Sequence, residues 1–83
     1  MDDTKRAIRK LLADPFARDE MLTERERLIA KLGAMGRTNE QIAEEVGSTP
    51  MMVAQHMRFI LYKLGLHKKP DLTALLLERI AEA

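Results

Sequence analysis

Gln55 and Arg58 stand three positions apart in a stretch, residues 48–70, that carries Arg58, Lys63, Lys68 and Lys69 and no acidic residue. On a helix that spacing brings both side chains to one face. Their chemistry suits base readout, because Gln pairs bidentately with adenine and Arg with guanine. Thr38 and Thr49 each precede an apolar-periodic segment. A hydroxyl there caps a helix and can also donate to a phosphate, so the two roles are compatible. Other chemistries find little support. His56 and His67 are the two histidines, and neither a cysteine nor an H-E-x-x-H spacing accompanies them, so no metal site is expected. No Ser–His–Asp set, paired carboxylates or phosphate-cradling glycine loop stands out, so the chain reads as no enzyme and as needing no cofactor.

The elements that must position these residues are helices. Gly and Pro total seven, and strong helix formers dominate, with no sustained alternation that would mark a strand. A first helix is predicted from Asp3 or Thr4 to Leu12, with Ile8, Leu11 and Leu12 on one face, broken at Asp14-Pro15. Residues 15–21 read as a connector. Thr23 with Glu26 is a capping box opening the next helix, with Leu22 as its staple and Leu28, Ile29 and Leu32 as its apolar stripe. Gly36 is its left-handed stop. Thr38 with Gln41 is a second capping box, before a helix that buries Ile42, Ala43 and Val46 and ends at Gly47. Ser48-Thr49-Pro50 places a capping hydroxyl before a proline at the first helical position. The helix from Pro50 to Leu64 buries Val53, Met57, Ile60 and Leu64, and Gly65 ends it. Asp71 is expected to cap a last helix running to about Glu82. Two helices joined by a short turn containing Gly have the form of a helix-turn-helix, although a bare αα-hairpin has it too.

Composition sets the outer limits. The chain has 83 residues, enough for one small domain with a thin core, and no cysteine for a disulfide framework. Neither a membrane-length apolar run nor a secretory signal is visible, so a cytoplasmic protein without a membrane partner is expected. The 14 basic and 13 acidic residues give a net charge of +1, which by itself argues against nucleic acid. That total hides a segregation. Residues 22–47 hold four bases and five acids, residues 71–83 one base and three acids, and residues 48–70 four bases alone. A basic segment over the second helix of a helix-turn-helix favours nucleic acid.

At this point the residues resemble the LuxR-type (GerE-type) helix-turn-helix of bacterial transcription regulators. Leu22-Thr23-Glu24-Arg25-Glu26 is similar to that family's L-T-x-R-E start, and Gly36-Arg37-Thr38-Asn39-Glu40-Gln41-Ile42-Ala43 to its G-x-S-N-x-E-I-A segment. Val53 with His56, then Ile60 and Lys63-Leu64-Gly65-Leu66, resembles its V-x-x-H-x-x-x-I-x-x-K-L-G-V signature. The resemblance covers residues 22–83 and implies an all-α, four-helix domain, here with an extra N-terminal helix in residues 1–21. It implies that the helix from Pro50 enters the major groove and that the last helix mediates dimerisation. Base-reading positions fall on Ala54, Gln55 and Arg58, and backbone-contact positions near Thr38, Asn39, Glu40, Thr49 and Lys63. The family commonly has lysine where this chain has Glu40 and Ala54.

Together these readings give a small stand-alone DNA-binding regulator that binds double-stranded DNA as a homodimer. Gln55 and Arg58 read bases, and Met51 can meet thymine methyl groups. Arg37, Thr38, Asn39, Thr49, Lys63, Lys68 and Lys69 position the backbone. In the last helix Leu72, Leu75, Leu76, Leu77 and Ile80 span an arc of about 200°, wider than one buried face requires. The surplus, Leu77 with Ala74 and Ala81, is the expected self-association surface. Only 21 residues precede the resemblance, too few for a sensing domain, so for a complete chain control is expected from abundance, a partner or oligomerisation, and the alternative is a fragment of something larger. The alternative is a protein-interaction module on the same scaffold, binding a regulatory protein through Met51, Met52 and the last helix. Glu40, Ala54 and the neutral tip at Met51-Met52 favour it, since adjacent methionines about 100° apart cannot both be buried in so small a domain and methionine suits adaptable surfaces.

Overall fold

A computed structural model describes residues 3–83, so Met1 and Asp2 of the expected N-terminal segment lie outside the described residues. In chain order the helices are α1 (Asp3–Ala13), α2 (Glu24–Ala34), α3 (Asn39–Val46), α4 (Pro50–Leu64) and α5 (Pro70–Glu82), with no strand among the described residues. The protein is therefore all-α: four helices, α2–α5, with α1 ahead of them.

Local chemistry sets the boundaries. At α2, Glu26 N–H donates to Thr23 Oγ1 at 3.1 Å while Thr23 N–H donates to Glu26 Oε1 at 2.8 Å. Thr38 and Gln41 repeat this reciprocal pair at α3, at 2.9 and 3.1 Å. Each box satisfies two of the amide donors that a helix start otherwise leaves unpaired. At α4 the Thr49 hydroxyl accepts from Met52 N–H at 3.2 Å, and Pro50 takes the first position. Gly47, between α3 and α4, has φ +70°, a left-handed conformation that costs a glycine little. The start of α5 departs from expectation. It begins at Pro70, and Asp71 sits inside its first turn rather than capping it. The Asp71 carboxylate instead accepts from His67 and Lys68 N–H groups at 3.1 and 2.9 Å, which holds its pKa below the usual aspartate value.

α2 is the central element, packing against α3, α4 and α5. It contributes Ile29, Ala30 and Leu32 to a core completed by Ile42, Ala43, Val53, Met57, Ile60, Leu72 and Leu76. Each fully buried side chain of this size contributes about 1.5–3 kcal/mol. A Cβ on Gly33 would lie 2.9 Å from Met57 Cε and 3.2 Å from Leu72 Cδ1, so the absent side chain is what lets α4 and α5 close on α2. Leu28 is not on the buried stripe. It is exposed, one position off the face that Ile29 and Leu32 present to the core.

The connector 15–21 proves to be structural. Pro15 and Phe16 are fully buried, and Leu22 nearly so. Arg79 of α5 donates from Nη1 to Asp19 Oδ2 at 2.7 Å and to Pro15 O at 2.9 Å, and from Nη2 to Asp19 Oδ1 at 3.0 Å. Its guanidinium carbon also lies 5.4 Å from the centre of the Phe16 ring. This two-pronged pair ties the chain ahead of α2 to the end of α5. α1, by contrast, has no buried residue and is held by its C-terminal end, where Lys31 Nζ donates to Ala13 O at 2.8 Å.

Candidate nucleic-acid interface

α3, the three-residue turn Gly47–Thr49 and α4 pack together as a helix-turn-helix. The buried stripe of Val53, Met57 and Ile60 fixes the rotation of α4, so the residues between them on the opposite side must face out. Gln55 and Arg58 lie on that outward side, exposed, and neither makes a hydrogen bond or ion pair with the described residues. The side chains of Arg37 and Lys68 are likewise exposed and unengaged.

Other residues expected at the DNA backbone have internal partners. Lys63 donates to both carboxylate oxygens of Glu26, at 2.8 and 3.0 Å, bracing α4 against α2. Burial would raise the Glu26 pKa, but the Lys63 ammonium and the Thr23 N–H outweigh it and hold the carboxyl below its ordinary value. Lys63, which the sequence assigned to a phosphate, thus has an internal partner in the protein alone. The reason is the carboxylate at the N-terminus of α2, brought beneath α4 by packing. Lys69 likewise has internal partners. Its ammonium bonds to Arg37 O and, at 3.2 Å, to Asn39 Oδ1, and burial pulls its pKa below the usual lysine value. It joins the start of α5 to the loop before α3. Thr38 and Thr49 use their oxygens as cap acceptors, which leaves each hydroxyl proton to donate elsewhere. Asn39 likewise keeps its amide N–H₂.

Two exposed residues on α4 escaped the sequence reading. Met51 and Met52 are exposed as expected, at 80% and 44%, but Phe59 and Tyr62 join them, at 54% and 85%. The spacing was sufficient to find them. At 100° per residue, Met51, Met52, Gln55, Phe59 and Tyr62 fall within an arc of about 100°. On α5, Leu77 is 60% exposed, and Ala74 and Ala81 are exposed beside it, one and two turns apart along one face. Among the described residues no group of His, Asp and Glu could hold a metal ion, and no helix is long and apolar enough to cross a membrane.

A capped helix, a glycine turn and a second capped helix whose outer face is exposed and acid-free together form a helix-turn-helix. The comparison with family models makes this specific. The model of the bacterial regulatory proteins of the luxR family (GerE) matches residues 20–76, and the chain belongs to that family of DNA-binding transcription regulators. No curated protein and no solved structure gives a significant match.

Proposed function

We propose that this chain is a transcription regulator of the cytoplasm that binds duplex DNA as a homodimer, with α4 in the major groove. Gln55 and Arg58 read base edges, with Met51 against thymine methyl groups. Arg37, Lys68, the Thr38 and Thr49 hydroxyls and the Asn39 amide hold the backbone. The observation that carries this reading is that Gln55 and Arg58 are exposed on the outward side of α4 with no partner of their own. A bidentate Arg–guanine contact is worth about 1–3 kcal/mol of discrimination. Arg58→Ala is therefore expected to weaken binding to a selected duplex by that amount and to equalise affinities at one base position. Selection from a randomised duplex pool followed by titration measures it. An unchanged preference in the variant sinks the assignment of Arg58, and no binding by the parent at low salt sinks the whole reading.

Dimerisation through α5 is supported by the exposed Leu77, flanked by Ala74 and Ala81, which leave room for close helix approach. A two-fold dimer places two copies of α4 on half-sites about one helical turn apart. Sedimentation of Leu77→Glu beside the parent is the check. The parent is expected to sediment as a dimer and the variant as a monomer, and identical species would remove α5 from the interface.

A further inference from the structure

We propose that the outward face of α4 is also a protein-docking surface, whose occupant is an acidic amphipathic helix of another protein. This goes beyond the DNA-binding reading and does not need it. The apolar strip of Met51, Met52, Phe59 and Tyr62 is too long for base readout. In a helix-turn-helix the N-terminal residues of the second helix reach the base edges. Phe59 and Tyr62 lie eight and eleven residues beyond Met51, about 12 and 17 Å further along the axis. Exposed there at 54% and 85%, the Phe59 ring gains nothing from a phosphate backbone, and Tyr62 gains at most one bond from its hydroxyl while its ring stays uncovered. Large exposed apolar side chains gathered on one face mark an interaction surface, whereas scattered ones do not. Tyr, Phe, Met and Arg are also the residues enriched at the centres of protein interfaces.

The chemistry of the occupant follows from the surroundings. α4 is a complete helix and has no unpaired strand edge to extend, so the partner must arrive with its own backbone satisfied, which a helix does. A partner helix of about a dozen residues spans the same 17 Å. Arg58, charged and unengaged, borders one edge of the strip, and Lys68 follows the C-terminal end of α4. No acid lies between residues 48 and 70 to repel carboxylates. Acidic residues flanking an apolar stripe therefore complement the surface in both charge and hydropathy. The occupant would cover Gln55 and Arg58, so the partner and DNA exclude one another.

The test uses the full chain and two synthetic amphipathic helices that share a leucine stripe, one flanked by glutamates and one by lysines. The glutamate helix is expected to bind and the lysine helix not. Phe59→Ser with Tyr62→Ser should weaken the glutamate helix by about tenfold or more, while thermal melting stays near the parent because both side chains are solvent-facing. Equal affinity for the two helices, no binding of either, or unchanged affinity in the double variant overturns the proposal. Loss of the chain's own self-association in the double variant does so too, since it makes a second copy the occupant. A parallel titration with duplex DNA reports separately on the DNA-binding reading.

Discussion

Asp19→Ala is expected to cost about 3–5 kcal/mol of folding stability, because it leaves the Arg79 guanidinium buried without its countercharge. Arg79 is 7% exposed and Asp19 is 8% exposed. Water cannot replace the two lost bonds, and the Arg79 Nε already lacks a partner. A domain of this length has a total stability of about 4–12 kcal/mol, so the single change removes a large fraction of it. The exposed Arg18–Glu82 pair at 4.0 Å is the internal contrast. Breaking it with Arg18→Ala should cost about 1 kcal/mol or less. Replacing both buried partners at once, with Asp19→Leu and Arg79→Met, should recover most of the loss. The unpaired charge is the penalty, and apolar groups of similar volume remove it. Urea unfolding followed by far-UV circular dichroism distinguishes the cases. If Asp19→Ala costs no more than Arg18→Ala, the pair does not anchor the N-terminal connector.

That pair also shows where the sequence stopped being readable. The punctuation of this chain acts over three or four residues: Thr23 with Glu26, Thr38 with Gln41, Thr49 ahead of Pro50. Such signals lie side by side in the sequence and mark the helices, whereas the family resemblance is what selects a helix-turn-helix over a bare αα-hairpin. The long-range side-chain bonds do not work that way. Asp19 and Arg79 are 60 residues apart, Glu26 and Lys63 are 37, and Asn39 and Lys69 are 30. Charge summed by segment shows that residues 48–70 are basic but not which of those bases the fold will use. The exposed strip on α4 differs again. Phe59 and Tyr62 are legible from helical spacing, since they share a face with Met51 and Gln55, opposite the buried stripe. Asp71 illustrates the limit of cap reading, since an acid near a helix start can serve the turn before it instead.

The pairing of those lysines sets the salt dependence of DNA binding. Five bases were expected near the duplex: Arg37, Arg58, Lys63, Lys68 and Lys69. Glu26 holds Lys63, and Arg37 O and Asn39 hold Lys69, which leaves Arg37, Arg58 and Lys68 to meet phosphate or base. Each phosphate neutralised on B-DNA contributes a slope of about −0.9 to log affinity against log salt. With Arg58 on a base, the two cations left for phosphate give a slope of about −1.8, so a fourfold rise in salt should weaken a half-site about 12-fold. Were Lys63 and Lys69 also available, the slope would be about −3.6 and the loss about 150-fold. Titration of a half-site duplex across a salt series separates the two values, with Leu77→Glu as the protein so that one copy binds at a time. Glu26→Gln adds a second arm. It removes the countercharge from Lys63 and should steepen the slope by about 0.9 if the released ammonium reaches a phosphate. A parent slope near about −3.6 would mean that DNA outcompetes Glu26 and Asn39 for both lysines. The braces at α2 and α3 would then open on binding, making them part of the binding equilibrium rather than of the scaffold.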